Sequence, residues 1–373
     1  MKTFRKTLAV ILLAAAVVFA AGCTKPEDPN NGGNNNGGGN NGGGDTPQGP
    51  TVPTGAVGGV FTVNEHGGKV YFSRGNLQWS ATNGGATATT HAVADGGTAP
   101  GTWRFGEPWD FVGGKVLDYF GGEHIGNVAG SDNSQASSTY TGWLDLFNWS
   151  TSGWEGGVEA YEPYRMIGDP SPHTWSWQWY VLGGDEKNGM TGQYAYADWG
   201  VYNAISNGGN QPGLWRTLTD EEWEYVIGGR EGSRWCPATV NGVKGVILIP
   251  DGWDNTAYTL EKINAWSSAS SNTISQSTWE RTCEPAGLVF LPNTAQRSNF
   301  SYGGGVYEFG LELKDGYGMY WSSSLLVRDY QGGSVPYGMN FSYGSTGGQP
   351  WEPGRCTLLR DRGSAIRLVQ DVQ

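Results

Sequence analysis

The chain has 373 residues, 62 of them glycine and 18 tryptophan, and a formal net charge of −12. That charge argues against nucleic acid and an anionic membrane surface as partners. So much glycine and tryptophan, with few long amphipathic patterns, predicts an α+β chain of short strands, two or more short helices and long irregular loops pinned by large aromatics.

Lys2, Arg5 and Lys6 precede an apolar run, Leu8 to Ala21, that is too short to span a bilayer. Ala20, Ala21 and Gly22 then stand before Cys23, the arrangement of a bacterial lipoprotein signal, although Ala20 occupies the place where leucine is commonest. Residues 1–22 are therefore expected to be removed and Cys23 to carry lipid. Thr24, Lys25, Pro26, Glu27 and Asp28 resemble the short acidic tag of surface-exported lipoproteins in Bacteroidetes. Residues 23–53, rich in Asn, Gly and Pro, hold too few apolar side chains to offset their ordering entropy and read as a tether. Twenty such residues span about 25 Å as a coil. The expectation is an outer-membrane lipoprotein, exposed at the cell surface and touching the membrane through its lipid alone.

Residues 54–373 suffice for one domain with insertions. Strands are predicted at VYFS 70–73, WRF 103–105, VKGVILIP 243–250 and AGLVFLP 286–292, the last two as buried runs closed by proline. In LWRTLTDEEWEYVIGG, 214–229, Thr219 is an N-cap and Glu222 completes a capping box. Leu218 and Trp223 form the matching staple, and Gly228 and Gly229 end the helix. Asp220, Glu221 and Glu222 are explained by the helix dipole rather than by catalysis. A second helix is placed over Thr278 to Thr282 with Ser277 as its cap and Pro285 as its stop. GMYWSSS, 318–324, leads into a Gly/Ser/Tyr-rich tail that reads as loop until SAIRLV, 364–369.

Catalytic machinery is hard to find. His66, His91, His124 and His173 have no metal-ligand spacing, and there is no nucleophile elbow or phosphate-binding loop. GGDEKNG, 183–189, lacks the acidic ladder of a calcium loop, and WDN, 253–255, stands without the partner motif a calcium site requires. No catalytic residue, metal or cofactor is expected, and the chain reads as no enzyme. Setting Cys23 aside leaves Cys236, Cys283 and Cys356, so at most one internal disulfide can form.

The series NLQW (76–79), WRF, WLDLF (143–147), DWGVYNAISNGGNQ (198–211), WRTLTDEEWEYV (215–226), ATVNGVKGVILIP (238–250), AGLVFLP, YWSSS (320–324) and GSAIRLV (363–369) is similar to the exported proteins called the Fibrobacter succinogenes major paralogous domain. The resemblance runs from about Val60 to Val369. It implies a C-type lectin-like fold near the formylglycine-generating-enzyme branch, with residues 321–369 forming a binding face. It extends to Bacteroidetes variable proteins diversified by retroelements, in which adenine-directed mutagenesis rewrites a C-terminal ligand-binding patch.

Asn codons rewritten at their first two bases reach Tyr, Ser, Asp, Gly, Arg, Leu, Val and Cys but never Lys, and no Lys lies between Trp321 and Arg367. On this reading Trp321, Ser322, Ser323, Asn340, Phe341, Gly363, Ile366, Arg367 and Leu368 are frame. Leu326, Arg328, Asp329, Tyr330, Tyr337, Tyr343, Trp351, Arg355, Cys356, Leu358, Leu359, Asp361 and Arg362 are exposed ligand-binding positions, much as aromatic and small residues serve antibody loops. Gln331, Met339, Gln349, Trp351 and Glu352 lie beyond such codons, so either these are scaffold or the diversification reading is wrong. The ligand is an unidentified protein or glycan at the cell surface. A second reading is a glycan-binding module of a nutrient-capture system, in which aromatic faces stack on sugars. The third, a formylglycine-generating oxidase, needs a close pair of C-terminal cysteines, and Cys356 stands alone there.

Lipidation has a direct test. Globomycin should block processing of the wild-type chain, and Cys23→Ala should leave the membrane fraction; a Cys23→Ala protein that still sediments with membrane removes the anchor.

Overall fold

Val243–Leu248 shows how strand periodicity builds the core. Val246 and Leu248 join one apolar cluster with Val289, Leu291, Trp223, Phe61 and Phe72, whereas Ile247 joins another with Cys236, Ala238, Val240, Trp279 and Phe290. Side chains alternate in this way only along an extended strand, and burial of both faces explains the continuous apolar run in the sequence. The strand pairs antiparallel with Trp235–Val240 on one side and Val289–Pro292 on the other, and Asn272–Ile274 adds parallel to Trp235–Val240. The computed structural model describes residues 51–116, 122–156, 161–164, 182–185, 187–232, 234–266, 272–302, 306–312, 316–326, 334–342, 351–360 and 362–373. Gly49–Gln373 form one compact unit, α+β in class.

The two ends of that unit meet in one sheet. Ala56–Thr62 forms a hairpin with Lys69–Ser73, and the last strand, Leu368–Asp371, lies between Lys69–Ser73 and the short strand Arg216–Thr217. Arg367, immediately before that last strand, is fully buried and donates to the carbonyls of Ser73, at 3.1 Å, and Phe290, at 2.7 Å. Its burial lowers the guanidinium pKa to about 10. A third sheet, Tyr317–Leu326, Val335–Ser342 and Trp351–Thr357, is antiparallel throughout. Tyr320, Met339 and Phe341 enter the cluster shared with Trp223, while Tyr317, Met319 and Trp321 enter another with Trp103, Trp149, Trp199 and Trp215. Over these residues the third sheet is therefore interior on both faces.

The capped helix forms as its sequence predicts. Thr219 Oγ1 accepts from the Glu222 amide at 3.1 Å, Glu222 Oε2 accepts from the Thr219 amide at 2.9 Å, and the helix runs over Asp220–Glu224 before a π turn at Tyr225–Gly229. Leu218, Trp223, Val226 and Ile227 are all buried in one cluster. The second helix corrects the expectation for its start. Ser275, not Ser277, caps it; Gln276–Thr278 is α-helical and Trp279–Cys283 is a second π turn. Both serines suit a cap chemically, and the earlier one wins because it puts Trp279 and Cys283 on the buried side. The tail corrects another expectation, because Val335–Ser342 and Trp351–Thr357 are strands where loop was predicted. Gly338 is a packing position: a Cβ there would stand 2.5 Å from Leu358 and from the Tyr320 carbonyl.

Since the capping box satisfies two amides at once, Thr219→Ala should cost about 1 kcal/mol in urea unfolding and Thr219→Ser much less. Equal stability for Thr219→Ala would remove the cap from the account.

Candidate functional site

The Trp321–Ser324 segment organises the region to which the sequence assigns binding. Register slips between Trp321 and Leu325 against Val335–Ser342, so the serines fall in a bulge where ladder bonds are lost. Their polar groups bond elsewhere. Ser322 Oγ donates to the Tyr337 carbonyl at 2.8 Å, and the Ser323 amide donates to Leu218 O at 2.9 Å. Ser324 Oγ accepts from the Asp220 amide at 3.0 Å, satisfying a helix N-terminal donor that has no partner within its helix. The indoles of Trp223 and Trp149 donate to the carbonyls of Trp321, at 3.2 Å, and Ser322, at 3.0 Å. Trp321 Nε1 in turn donates to Phe147 O at 2.6 Å. Trp321, Ser322, Ser323, Phe341, Gly363, Ile366, Arg367 and Leu368 are all buried, and Asn340 is half-buried.

Two positions expected to be exposed are not. Leu358 is 5% exposed and packs in the tryptophan-rich cluster, and Cys356 is half-buried against the same cluster. Burial pushes the Cys356 thiol up to about 12, so at neutral pH it carries almost no thiolate. The physical reason is a period-two alternation hidden by polar outward neighbours: Arg355 and Thr357 are exposed, Cys356 and Leu358 turn inward. Leu359, Arg362, Leu326 and Tyr337 are half-buried, and the Arg362 amide donates to Leu359 O at 3.0 Å. Trp351 opens the edge strand opposite Ser342. Cys23, Arg328, Asp329, Tyr330, Tyr343 and Asp361 lie outside the described residues, as do Gln331 and Gln349. Met339 is fully buried, as scaffold must be, but Glu352 is exposed on the edge strand, where no rewritten Asn codon could have put it.

Arg355 is held in place. Its guanidinium lies 3.9 Å from the centroid of the Tyr337 ring, pairs with Asp220, and reaches Glu224 Oε2 at 3.5 Å. The acidic first turn of the capped helix therefore also orients the edge strand. Glu222 is engaged separately by Arg216, whose two terminal nitrogens donate to it at 2.7 and 2.8 Å while Nη2 also donates to Asp371 at 2.8 Å. What reaches solvent from the described part of the tail is a narrow edge: Glu352, Arg355 and Thr357, with Tyr337 beside them.

Sequence reading missed the buried polar groups behind this frame. Asp145, 1% exposed, accepts from the Val112 amide and from Asn133 Nδ2, both at 2.8 Å, and burial pushes its carboxyl up to about 7. Such a carboxyl in a cleft would suggest acid–base work, but one sealed from solvent meets no substrate. Arg297, equally buried, donates to Asn148 Oδ1 at 2.7 Å. Of the histidines, His91 and His124 lie on the short strands Thr90–Ala92 and Gly122–His124, and among the described residues no three His, Cys, Asp or Glu side chains are grouped to hold a metal.

Because Leu358 is core, Leu358→Asn should cost about 3 kcal/mol or more in denaturant melts, from lost burial and a stranded amide. Cys356 should label with maleimide slowly in the folded protein and rapidly in urea; fast labelling together with a harmless Leu358→Asn would put both side chains back on the surface. No protein-family model, curated protein or solved structure matches the chain.

Proposed function

We propose that this chain is an exported lipoprotein that presents a ligand-binding domain of C-type lectin-like fold at the cell surface, and that the ligand meets the edge of the Trp351–Thr357 strand. The carrying observation is the contrast within one sheet: a sealed interior beside a solvent-facing edge of Glu352, Arg355 and Thr357, with Arg355 held over the half-buried Tyr337 ring. An arginine already held by an aromatic ring and a carboxylate loses little further entropy when a partner docks. The pairing of the unit's first hairpin with its last strand, with Arg216–Thr217 returning to the same sheet, is compatible with the lectin-like reading. The AAGC stretch and the Asn/Gly tract support the anchor.

Retroelement diversification is not part of the proposal, since inward Leu358, half-buried Cys356 and outward Glu352 all run against it. An oxidase is not part of it either: Cys236 and Cys283 lie in a different apolar cluster from the one Cys356 packs against.

The test is a screen of protein and glycan arrays with the soluble domain, repeated with Glu352→Arg and Thr357→Arg. Both residues are exposed, so melting temperature should hold while binding falls about tenfold or more. Array binding that survives both substitutions unchanged places the ligand elsewhere.

A further inference from the structure

Away from the tail, four aromatic rings form a row. Tyr194 and Trp154 have centroids 6.4 Å apart, Trp154 meets Tyr196 edge-on at 5.9 Å, and Tyr196 lies 5.9 Å from Tyr202. Tyr196, on the 3-10 helix Gly192–Ala197, is 38% exposed, while Trp154 and Tyr194 are half-buried. An isolated surface tyrosine needs no explanation, but this one is built in. The buried Ser152 hydroxyl donates to the Tyr196 carbonyl at 2.6 Å and accepts from the Trp154 amide at 3.3 Å, pinning the two rings' backbones together. The Ser152 carbonyl accepts from Asn203 Nδ2 at 2.6 Å, and Asn203 Oδ1 faces His91 Nε2 at 2.8 Å. The Tyr194 ring is seated over Gly183, where a Cβ would collide with it.

From this geometry we propose that Trp154, Tyr194 and Tyr196 form a stacking platform for a neutral sugar of a polysaccharide, distinct from the tail edge. Aromatic faces supply apolar area without ordering cost once they are already fixed, and the C–H face of a pyranose is a flat apolar match. The surroundings favour an uncharged, hydroxyl-rich ligand. Asp95 and Glu155 are exposed and close enough to Tyr202 to join burial in raising its phenol pKa, so they repel uronate or sulfate and accept from sugar hydroxyls. Ser152 and Asn203 are positioning residues.

Native affinity electrophoresis of the soluble domain through gels containing galactomannan, xylan or a mixed-linkage β-glucan tests this, with polygalacturonate as the acidic comparison. At least one neutral polymer should retard the domain and polygalacturonate should not. Tyr196→Ala should weaken the retardation about tenfold with melting temperature unchanged, Tyr196→Phe should keep most of it, and Trp154→Ala should lose it. Thr357→Arg should leave it intact, which separates this site from the tail edge. Absence of retardation in every neutral gel, equal retardation of Tyr196→Ala and wild type, or retardation abolished by Thr357→Arg alone would each overturn the platform.

Discussion

The structure depends on finding donors for the backbone of a buried bulge. A sheet interior on both faces cannot leave carbonyls unpaired where the ladder slips, because each orphan costs about as much as a lost hydrogen bond. At Trp321 and Ser322 the donors are two indoles, from Trp223 on the capped helix and from Trp149 on an otherwise irregular loop. Indole suits this role because it brings a large apolar area to the core and one N–H to a fixed point. The serines turn the same slip into attachment, since Ser323 and Ser324 bond the chain entering that helix and the first amide within it. Helix, sheet and loop are thus coupled through a few consecutive residues.

The two helices share a plan. Each has a hydroxyl cap, a tryptophan four residues later, a glutamate after that, and a π turn at its end: Thr219, Trp223 and Glu224 in one, Ser275, Trp279 and Glu280 in the other. The cap fixes where the helix begins, and the spacing then fixes which residue points inward. The two tryptophans serve different clusters, on opposite faces of the Val243–Leu248 sheet. Charge follows the same logic. The acidic first turn of one helix complements its dipole and is also occupied by Arg216 and Arg355, so residues that could be taken for a catalytic group are employed in docking two distant segments.

A tail packed against the core leaves its edge strand and the aromatic row around Tyr196 as two described places where held side chains reach solvent. They differ in kind. The edge carries both signs of charge and one half-covered ring; the row carries aromatic rings with carboxylates at its margin.

Local chemistry was legible in the residues themselves. The Thr219 capping box joins atoms three residues apart, and the runs VKGVILIP and AGLVFLP declare buried strands, so no distant partner is needed to recognise either. The edge strand was not legible, because Arg355 and Thr357 alternate with Cys356 and Leu358 in a stretch whose glycines and arginines mask the period. Nor were the partners of Arg355 and of the Trp223 and Trp149 indoles, which lie about a hundred residues or more away in the chain. The same holds for the aromatic row, whose Trp154 stands forty residues before Tyr194. Sequence alone determined where the capped helix starts and which strands are apolar, because those choices are made by neighbours in the chain. Which face of the tail is core, and which aromatic rings meet, was decided only by the tertiary structure, because both depend on contacts between segments far apart in the chain.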